Sequence, residues 1–391
     1  MSGAPAAARA QRWQGARRVL LVRLDNLGDV LMTTPAMAAV RRALPDAHLA
    51  LLAAPAARAL APHLPFVDEV IGFHAPWVKA GAAALDGAAG HPPADGRAAP
   101  QPLGLAERRQ VELLRAARFD AAVVVTVCTQ SALPAALLCR MAGIGLVLAH
   151  CRERAYGLLS DAVPDPDELR AGMRHEVRRQ LDLVAHVGFA SADERLRFHL
   201  RDTDRAAAAA ALRAAGVDPA RPYVLVHPGA SAASRRYPPA AYGAAAELIQ
   251  RDPAMAGQAV VFCAGPGEEP LVRDALAAMA VPAAALARVQ ALGTLAALVA
   301  GARVLVANNS SPVHLAAAVG TPVVDLYALT NPQHTPWMVP ARVLNHDVAC
   351  RHCQQSVCAQ GHHRCLRGVA PAEVAHAARS LWAGAAAGAT A

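Results

Sequence analysis

The sequence predicts an α/β chain built as two Rossmann-like lobes whose parallel sheets face a central cleft. Three observations predict it. At 391 residues the chain exceeds one ordinary compact core and suits two domains of usual size. Two separate series of short apolar runs alternate with segments of helical periodicity, the pattern of βαβ units. The junctions where runs pass into helices are rich in Gly, Ser, Asn and Asp, the residue types that line ligand crevices at the carboxyl ends of parallel strands.

The first series opens with Arg17 to Arg23 (RRVLLVR), followed by Asp25-Asn26-Leu27-Gly28-Asp29 and a helical stretch through Leu44. His48 to Ala53 and Phe66 to Phe73 read as further strands. Ala75 to Leu103 is Ala-, Gly- and Pro-rich and is expected as a long mobile loop. Helix resumes over Leu105 to Arg118, then strands over Ala121 to Val127 and Gly145 to His150. Arg174 to Gly188 carries Val177, Leu181, Val184 and Val187 at helical spacing, with Gly188 as its stop. The Ala- and Arg-rich stretch from Arg201 to Pro222 is expected as the domain junction. Beyond it, strands over Tyr223 to His227, Ala259 to Ala264, Arg303 to Ala307 and Pro322 to Tyr327 alternate with helices over Pro239 to Arg251, Glu268 to Met279, Thr294 to Ala300 and Ser311 to Val319. The expected division is a disordered tail over 1–16, an acceptor-binding lobe over 17–205, a nucleotide-sugar-binding lobe over 218–345, and a Cys-rich segment with a terminal helix over 346–391.

Composition excludes several classes. Apolar residues make up 54% but aromatics only 4%, a helix-rich globular balance and not a disordered one. The formal charge of +8 is carried almost wholly by Arg, with Lys79 the one lysine, and is spread without a block, which argues against nucleic acid as a partner. The most apolar stretch, Ala121 to Ala149, contains Thr126, Gln130, Pro134 and Arg140 and reads as buried strand and helix, not as a membrane span. The N-terminal segment lacks an apolar signal core before Arg23 and Asp25, so a cytoplasmic location is expected.

Five stations could carry chemistry. Asp29, next to Gly28 after the first strand, suits a general base for an acceptor hydroxyl; a helix cap is its plain alternative, and Asp25 is its rival. His227-Pro228-Gly229-Ala230-Ser231, followed by Arg235, could present backbone N–H groups and a forked guanidinium to phosphate. Asn308-Asn309-Ser310-Ser311-Pro312-Val313-His314 runs from a strand into a helix, with Ser311 as N-cap and Pro312 at N1. Its free N–H groups and dipole suit a diphosphate, with His314 nearby. Glu268 after Gly265-Pro266-Gly267 could accept ribose hydroxyls or answer the helix dipole. Cys350, Cys353, Cys358 and Cys365 form the fifth: free or packed thiols are the default, a structural zinc site the alternative.

These stations, in this order, resemble glycosyltransferase family 9, the ADP-heptose:lipopolysaccharide heptosyltransferases. The pieces that carry the resemblance are RRVLLVRLDNLGDVLMTTPAMAAVRRALPDAHL, LPFVDEVIGF, VLVHPGAS followed by RRYP, NNSSPVHLAAAVGTPVVDLY, and the tail CLRGVAPAEVAHAARSLW. The resemblance implies a GT-B fold, an inverting transfer and a donor held mainly by the C-terminal lobe. On matching positions Asp29 takes the family's catalytic aspartate, Arg235 falls where a phosphate-binding Lys is usual before an aromatic-Pro pair, and Glu268 aligns with the ribose-binding Glu. His227, Gly229, Ser231, Asn309, Ser310, Ser311 and His314 complete the donor side, and Asp25, Asn26 and Gly28 the acceptor-side loop. One departure stands out: the usual Asp-Ser/Thr-Gly before the helix reads Asn309-Ser310-Ser311.

The expected reaction is direct displacement without a catalytic cofactor, from a nucleotide-sugar donor, ADP-heptose by resemblance, to a glycolipid or glycan acceptor, with peripheral contact at the inner membrane surface. The rival functions are a non-catalytic nucleotide-sugar or glycolipid binder, a GT-B-like nucleotide-sugar epimerase, and a zinc-dependent interaction protein.

Overall fold

A computed structural model describes residues 6–78, 102–167, 172–286, 289 and 291–388. The chain divides into two compact units, Met1–Glu194 and Arg195–Ala391. Each contains one six-stranded sheet, and every strand pairing is parallel.

The first sheet comprises β1 (Arg18–Arg23), β2 (His48–Ala53), β3 (Glu69–Gly72), β4 (Ala121–Val124), β5 (Leu146–Cys151) and β6 (Asp161–Pro164). Their spatial order is β3-β2-β1-β4-β5-β6. Central strands bury both faces, so they read as unbroken apolar runs and not as alternation; β1 is buried from Val19 to Arg23. The strand order reverses between β1 and β4, and loops leaving the two strands there diverge to open a crevice.

The tail expected to be loose is instead a helix over Ala6–Gln14. Trp13 is fully buried, its indole N–H donates to Asp161 at 3.0 Å, and its ring meets Phe189 edge-on. Arg9 donates to the His186 carbonyl at 3.0 Å and Arg12 to Asp161 at 3.1 Å. Gly188 has a φ of +95°, and a Cβ there would stand 3.1 Å from Ala10. A short Ala/Arg segment shows little periodicity, so a helix docked through one aromatic is easily read as tail.

The second sheet comprises β7 (Tyr223–His227), β8 (Ala259–Phe262), β9 (Ala284–Ala285), β10 (Val304–Asn308), β11 (Val323–Leu326) and β12 (Ala341–Leu344), in the order β12-β11-β10-β7-β8-β9. Here the reversal falls between β7 and β10. The stretch expected as a junction holds a helix, Asp202–Ala214, whose Ala208 and Leu212 enter the core on one face of this sheet. The other face is covered in part by the helix Pro371–Gly388, which contributes Val374, Ala377, Ala378, Leu381 and Trp382. The terminal helix therefore belongs to the second unit's core. Most of the Ala75 to Leu103 stretch expected as a mobile loop, 79–101, lies outside the described residues.

Burying a large apolar side chain contributes roughly 1.5–3 kcal/mol, and truncating an aromatic in a core costs about 3–5 kcal/mol. Trp13→Ala is therefore expected to lower the unfolding free energy by about 3–5 kcal/mol in urea titration. An unchanged midpoint would mean that the helix is not part of the fold.

Candidate functional site

In the first unit the candidate residues gather at the β1–β4 reversal. The helix after β1 begins at Leu27, so Gly28 and Asp29 lie in its first turn and not in the preceding loop. Asp29 occupies the third helical position, and its Oδ2 accepts the backbone N–H of Asn26 at 3.0 Å. This is half of a capping box, which satisfies one donor ahead of the helix. The capping alternative is thus real, and it leaves Oδ1 facing Arg23 at 3.4 Å.

Arg23 is the residue that sequence reasoning passed over. It ends the apolar run of β1, is fully buried, and meets three carboxylates: Asp25 at 3.0 Å from Nε, Asp29 at 3.4 Å from Nη2 and Glu176 at 2.8 Å from Nη1. Asp25 also accepts from the Gln130 amide, at 2.7 Å across the reversal. Burial pushes the Asp25 carboxyl up to about 6, against the pull of Arg23 and with the push of Asp29. Glu176 is buried, and accepts from Gln180 at 2.8 Å. The sequence signal was available: a charged residue closing a buried strand needs charged partners nearby.

The second unit gathers its candidates at the β7–β10 reversal. Asn308, fully buried, donates from its amide to the Pro228 carbonyl at 2.7 Å and accepts the Tyr237 N–H at 2.8 Å. It thereby locks the loop after β7 to the end of β10. Ser310 donates to the Gly229 carbonyl at 3.3 Å. A Cβ on Gly229 would lie 2.0 Å from the Glu268 carboxylate, so any larger residue there would push that side chain aside. Glu268 accepts the Gly265 N–H at 3.2 Å and stands 3.7 Å from His227 Nε2. Burial lowers the pKa of His227 in spite of Glu268, which keeps the imidazole neutral at pH 7. His227, Gly229, Glu268, Asn308 and Ser310 are therefore brought together.

The helix that follows spans Ser311–Val319, with Ser310 and not Ser311 as its N-cap and Pro312 at the second position, a shift of one residue from the sequence reading. His314 is buried in its first turn. Ser231 is exposed, and Arg235 is half-buried, close enough to the buried Tyr327 to act on it electrostatically. Asn309 departs most from expectation. It is buried, and its amide donates to Asp325 and to the His334 carbonyl, each at 2.9 Å. Both amide hydrogens are spent inside the unit, so Asn309 braces the site from beneath.

Cys350, Cys353, Cys358 and Cys365 line one cavity of about 250 Å³ together with His362 and His363. The Cys350 sulfur lies 3.7 Å from His362 Nε2, and all eight cysteines are free thiols. Backbone N–H groups, that of His363 foremost, hold the Cys358 thiol below its ordinary pKa. Among the described residues no group of three or more His, Cys, Asp or Glu side chains is placed to hold a metal ion. No helix among them is long and apolar enough to cross a membrane.

Asp325 takes one of the two Asn309 amide hydrogens, at 2.9 Å. Burial raises its carboxyl to about 8, with the Asn309 hydrogen bond opposing. A carboxyl whose folded pKa exceeds its unfolded value of about 3.9 stabilises the fold fully below the lower value and loses that contribution as pH rises through the upper one. Wild-type stability to urea is expected to fall between about pH 4 and pH 8 through this group, and Asp325→Asn to flatten that segment. Asn309→Asp places two carboxyls together and is expected to destabilise strongly at pH 8, with Asp325→Asn restoring it. Equal stability of Asn309→Asp and wild type at pH 8 would refute the pairing.

Comparison with known proteins bears on identity. Lipooligosaccharide heptosyltransferase 2 of Campylobacter jejuni subsp. jejuni serotype O:2 is 27% identical over 161 residues, 40% of this chain and 50% of that protein. Its counterpart from serotype O:6 is 26% identical over the same extent. The chain spans about half the length of the curated relatives it matches. The crystal structure of a family 9 glycosyl transferase from Veillonella parvula superposes with a TM-score of 0.73 at 19% identity, over 94% of this chain and 98% of that one. The E. coli ADP-heptose lps heptosyltransferase II does so with a TM-score of 0.68 at 21% identity, over 94% and 99%. The fold is thus the GT-B fold of two successive Rossmann-like units. The family model for glycosyltransferase family 9 (heptosyltransferase) matches residues 108–363, a range that begins after Asp29. With more than half of its length so matched, the chain belongs to glycosyltransferase family 9.

Proposed function

We propose that this chain is an inverting heptosyltransferase that moves a heptose from a nucleotide diphosphate, ADP-heptose first among candidates, to a hydroxyl of a lipopolysaccharide-core or related glycan. The observation that carries the reading is the set His227, Gly229, Glu268, Asn308 and Ser310, gathered at the strand-order reversal of the second unit where a helix begins. A helix start offers unsatisfied N–H donors and the positive end of a dipole, the natural seat of a diphosphate. Family membership supports the reaction class, and the names of its relatives supply the donor and the lipid-linked acceptor.

In this mechanism Asp29 accepts the acceptor proton while the hydroxyl oxygen attacks the anomeric carbon. The bond from that carbon to the diphosphate breaks, its electron pair passes to the phosphate oxygen, and configuration inverts. Arg235 makes paired hydrogen bonds to the departing phosphates, and the Ser311–Val319 helix start balances the charge that develops. Neutral His227 and the Glu268 carboxylate shape the donor's sugar and ribose side. Positive charge from the protein does what a divalent ion does in other transferases, so no catalytic cofactor is required. Such a chain works at the cytoplasmic face of the inner membrane, where lipid-linked acceptors are presented.

The test is mass spectrometry of products after ADP-heptose, GDP-mannose and UDP-GlcNAc are each offered with bacterial lipid extract. Heptose addition to a lipid species is expected with the first donor. Asp29→Asn is expected to lower kcat by about 10²–10⁴-fold, the range of general-base catalysis, with little change in donor affinity. Arg235→Ala is expected to weaken binding of ADP by about 1.5–3 kcal/mol, the worth of hydrogen bonds to charged groups, in calorimetry. Turnover of donor without acceptor, independent of Asp29, would replace this reading with an epimerase or a hydrolase.

A further inference from the structure

Arg23 lies outside the residues that the family resemblance assigns, and its surroundings give it a specific task. A guanidinium offers donors on three nitrogens in a fixed plane; here Nη1 hydrogen-bonds to Glu176, while Nε and Nη2 stand in ion-pair contact with Asp25 and Asp29 without a hydrogen bond. Nη1 meets Glu176 at 2.8 Å, Nε meets Asp25 at 3.0 Å and Nη2 meets Asp29 at 3.4 Å. Glu176 comes from the helix Glu176–Ala185, packed against the helix Leu27–Ala43 that carries Asp29. The order of the contacts is informative: the shortest points away from the candidate base and the longest points to it. We propose that Arg23, anchored by Glu176, is a positioning residue that fixes the Asp25 and Asp29 carboxylates in the orientation needed to take a proton from the acceptor hydroxyl.

This inference rests on the reading of Asp29 as proton acceptor. The charged groups around the cluster are Arg23 on β1, Asp25 and Asp29 beyond it, Glu176 on the packed helix, and Arg179, which stands 3.6 Å from Glu176 and 2.8 Å from Asp165. Gln130 adds an amide to Asp25. Three carboxylates face one shared cation and part of a second. Arg23 is therefore the cation that these carboxylates share. Burial opposes its charge, yet the surrounding acids keep its pKa above the ordinary Arg value, so the cation persists.

The tests use single substitutions in the full chain. Arg23→Lys keeps the charge but carries it on a single nitrogen, which cannot stand against Asp25, Asp29 and Glu176 as three separate guanidinium nitrogens do. It is expected to lower kcat for ADP-heptose with lipid extract by roughly 10²-fold, the usual cost of misplacing a reacting group, with the donor KM unchanged. Arg23→Met removes the cation and moves the acid limb of kcat/KM to higher pH. Glu176→Gln removes a competing negative charge and moves the limb to lower pH. The carboxyl titrations of Asp25 and Asp29, read by 13C NMR and assigned with Asp25→Asn and Asp29→Asn, report the same shifts without any acceptor. A purely structural Arg23 gives activity losses that track stability, with no shift or with both shifts in one direction, and that result overturns the proposal, as does wild-type kcat in Arg23→Lys. Should Arg23→Met fail to fold, Arg23→Lys against Glu176→Gln decides. Loss of turnover in Asp29→Asn alongside a normal Arg23→Lys defeats the positioning role alone, whereas full turnover in Asp29→Asn defeats the base assignment and this inference together.

Discussion

Both sets of candidate residues sit where a parallel sheet reverses its strand order. At that point the two neighbouring strands send their loops in opposite directions, and the crevice left between them lets backbone and side chains converge on a ligand. Both units obey this rule and both reinforce it with an amide. In the first, Gln130 from beyond β4 holds Asp25 from beyond β1. In the second, Asn308 at the end of β10 holds Pro228 from beyond β7. Without such a brace the loops would be free to drift, and positioning within fractions of an ångström is what separates an effective site from a loose one.

The two sites solve opposite electrostatic problems. The first gathers Asp25, Asp29 and Glu176 in a buried place around the Arg23 guanidinium. The second holds the deeply buried Asp325 mostly protonated at pH 7 beside the Asn309 amide, and burial keeps His227 neutral next to Glu268. With an amide at residue 309, Asp325 meets a donor there and not a second acid. Burying a carboxylate without a counter-charge is costly enough that one of two facing acids must be neutral.

Much of this was legible in the residues. The strand Tyr223–His227 and the helices Pro239–Arg251 and Ser311–Val319 have the ends that periodicity predicts, because buried parallel strands and Pro-started helices leave strong local signals. That Asp29, Glu268 and Ser310 stand where helices begin after strands was equally readable. What escaped were facts set by distant parts of the chain. Arg23 and Glu176 are 153 residues apart, Asn309 reveals its role only when Asp325 is beside it, and the Ala6–Gln14 helix is ordered by Asp161 and Phe189. Local pattern cannot announce partners that only tertiary packing introduces.

The covering of the second sheet has a temporal side. Strand β7 ends at His227, yet the helix that covers one face of its sheet begins at Pro371. During synthesis the apolar surface of Val224 and Val226 emerges from the ribosome well over a hundred residues before Val374, Leu381 and Trp382 exist to shield it. Domains made this way stay sticky while they are incomplete. The helix Pro239–Arg251 covers part of that face early, through Tyr242, Ala245 and Ile249, and the core is complete only when the distant terminal helix folds back onto the sheet.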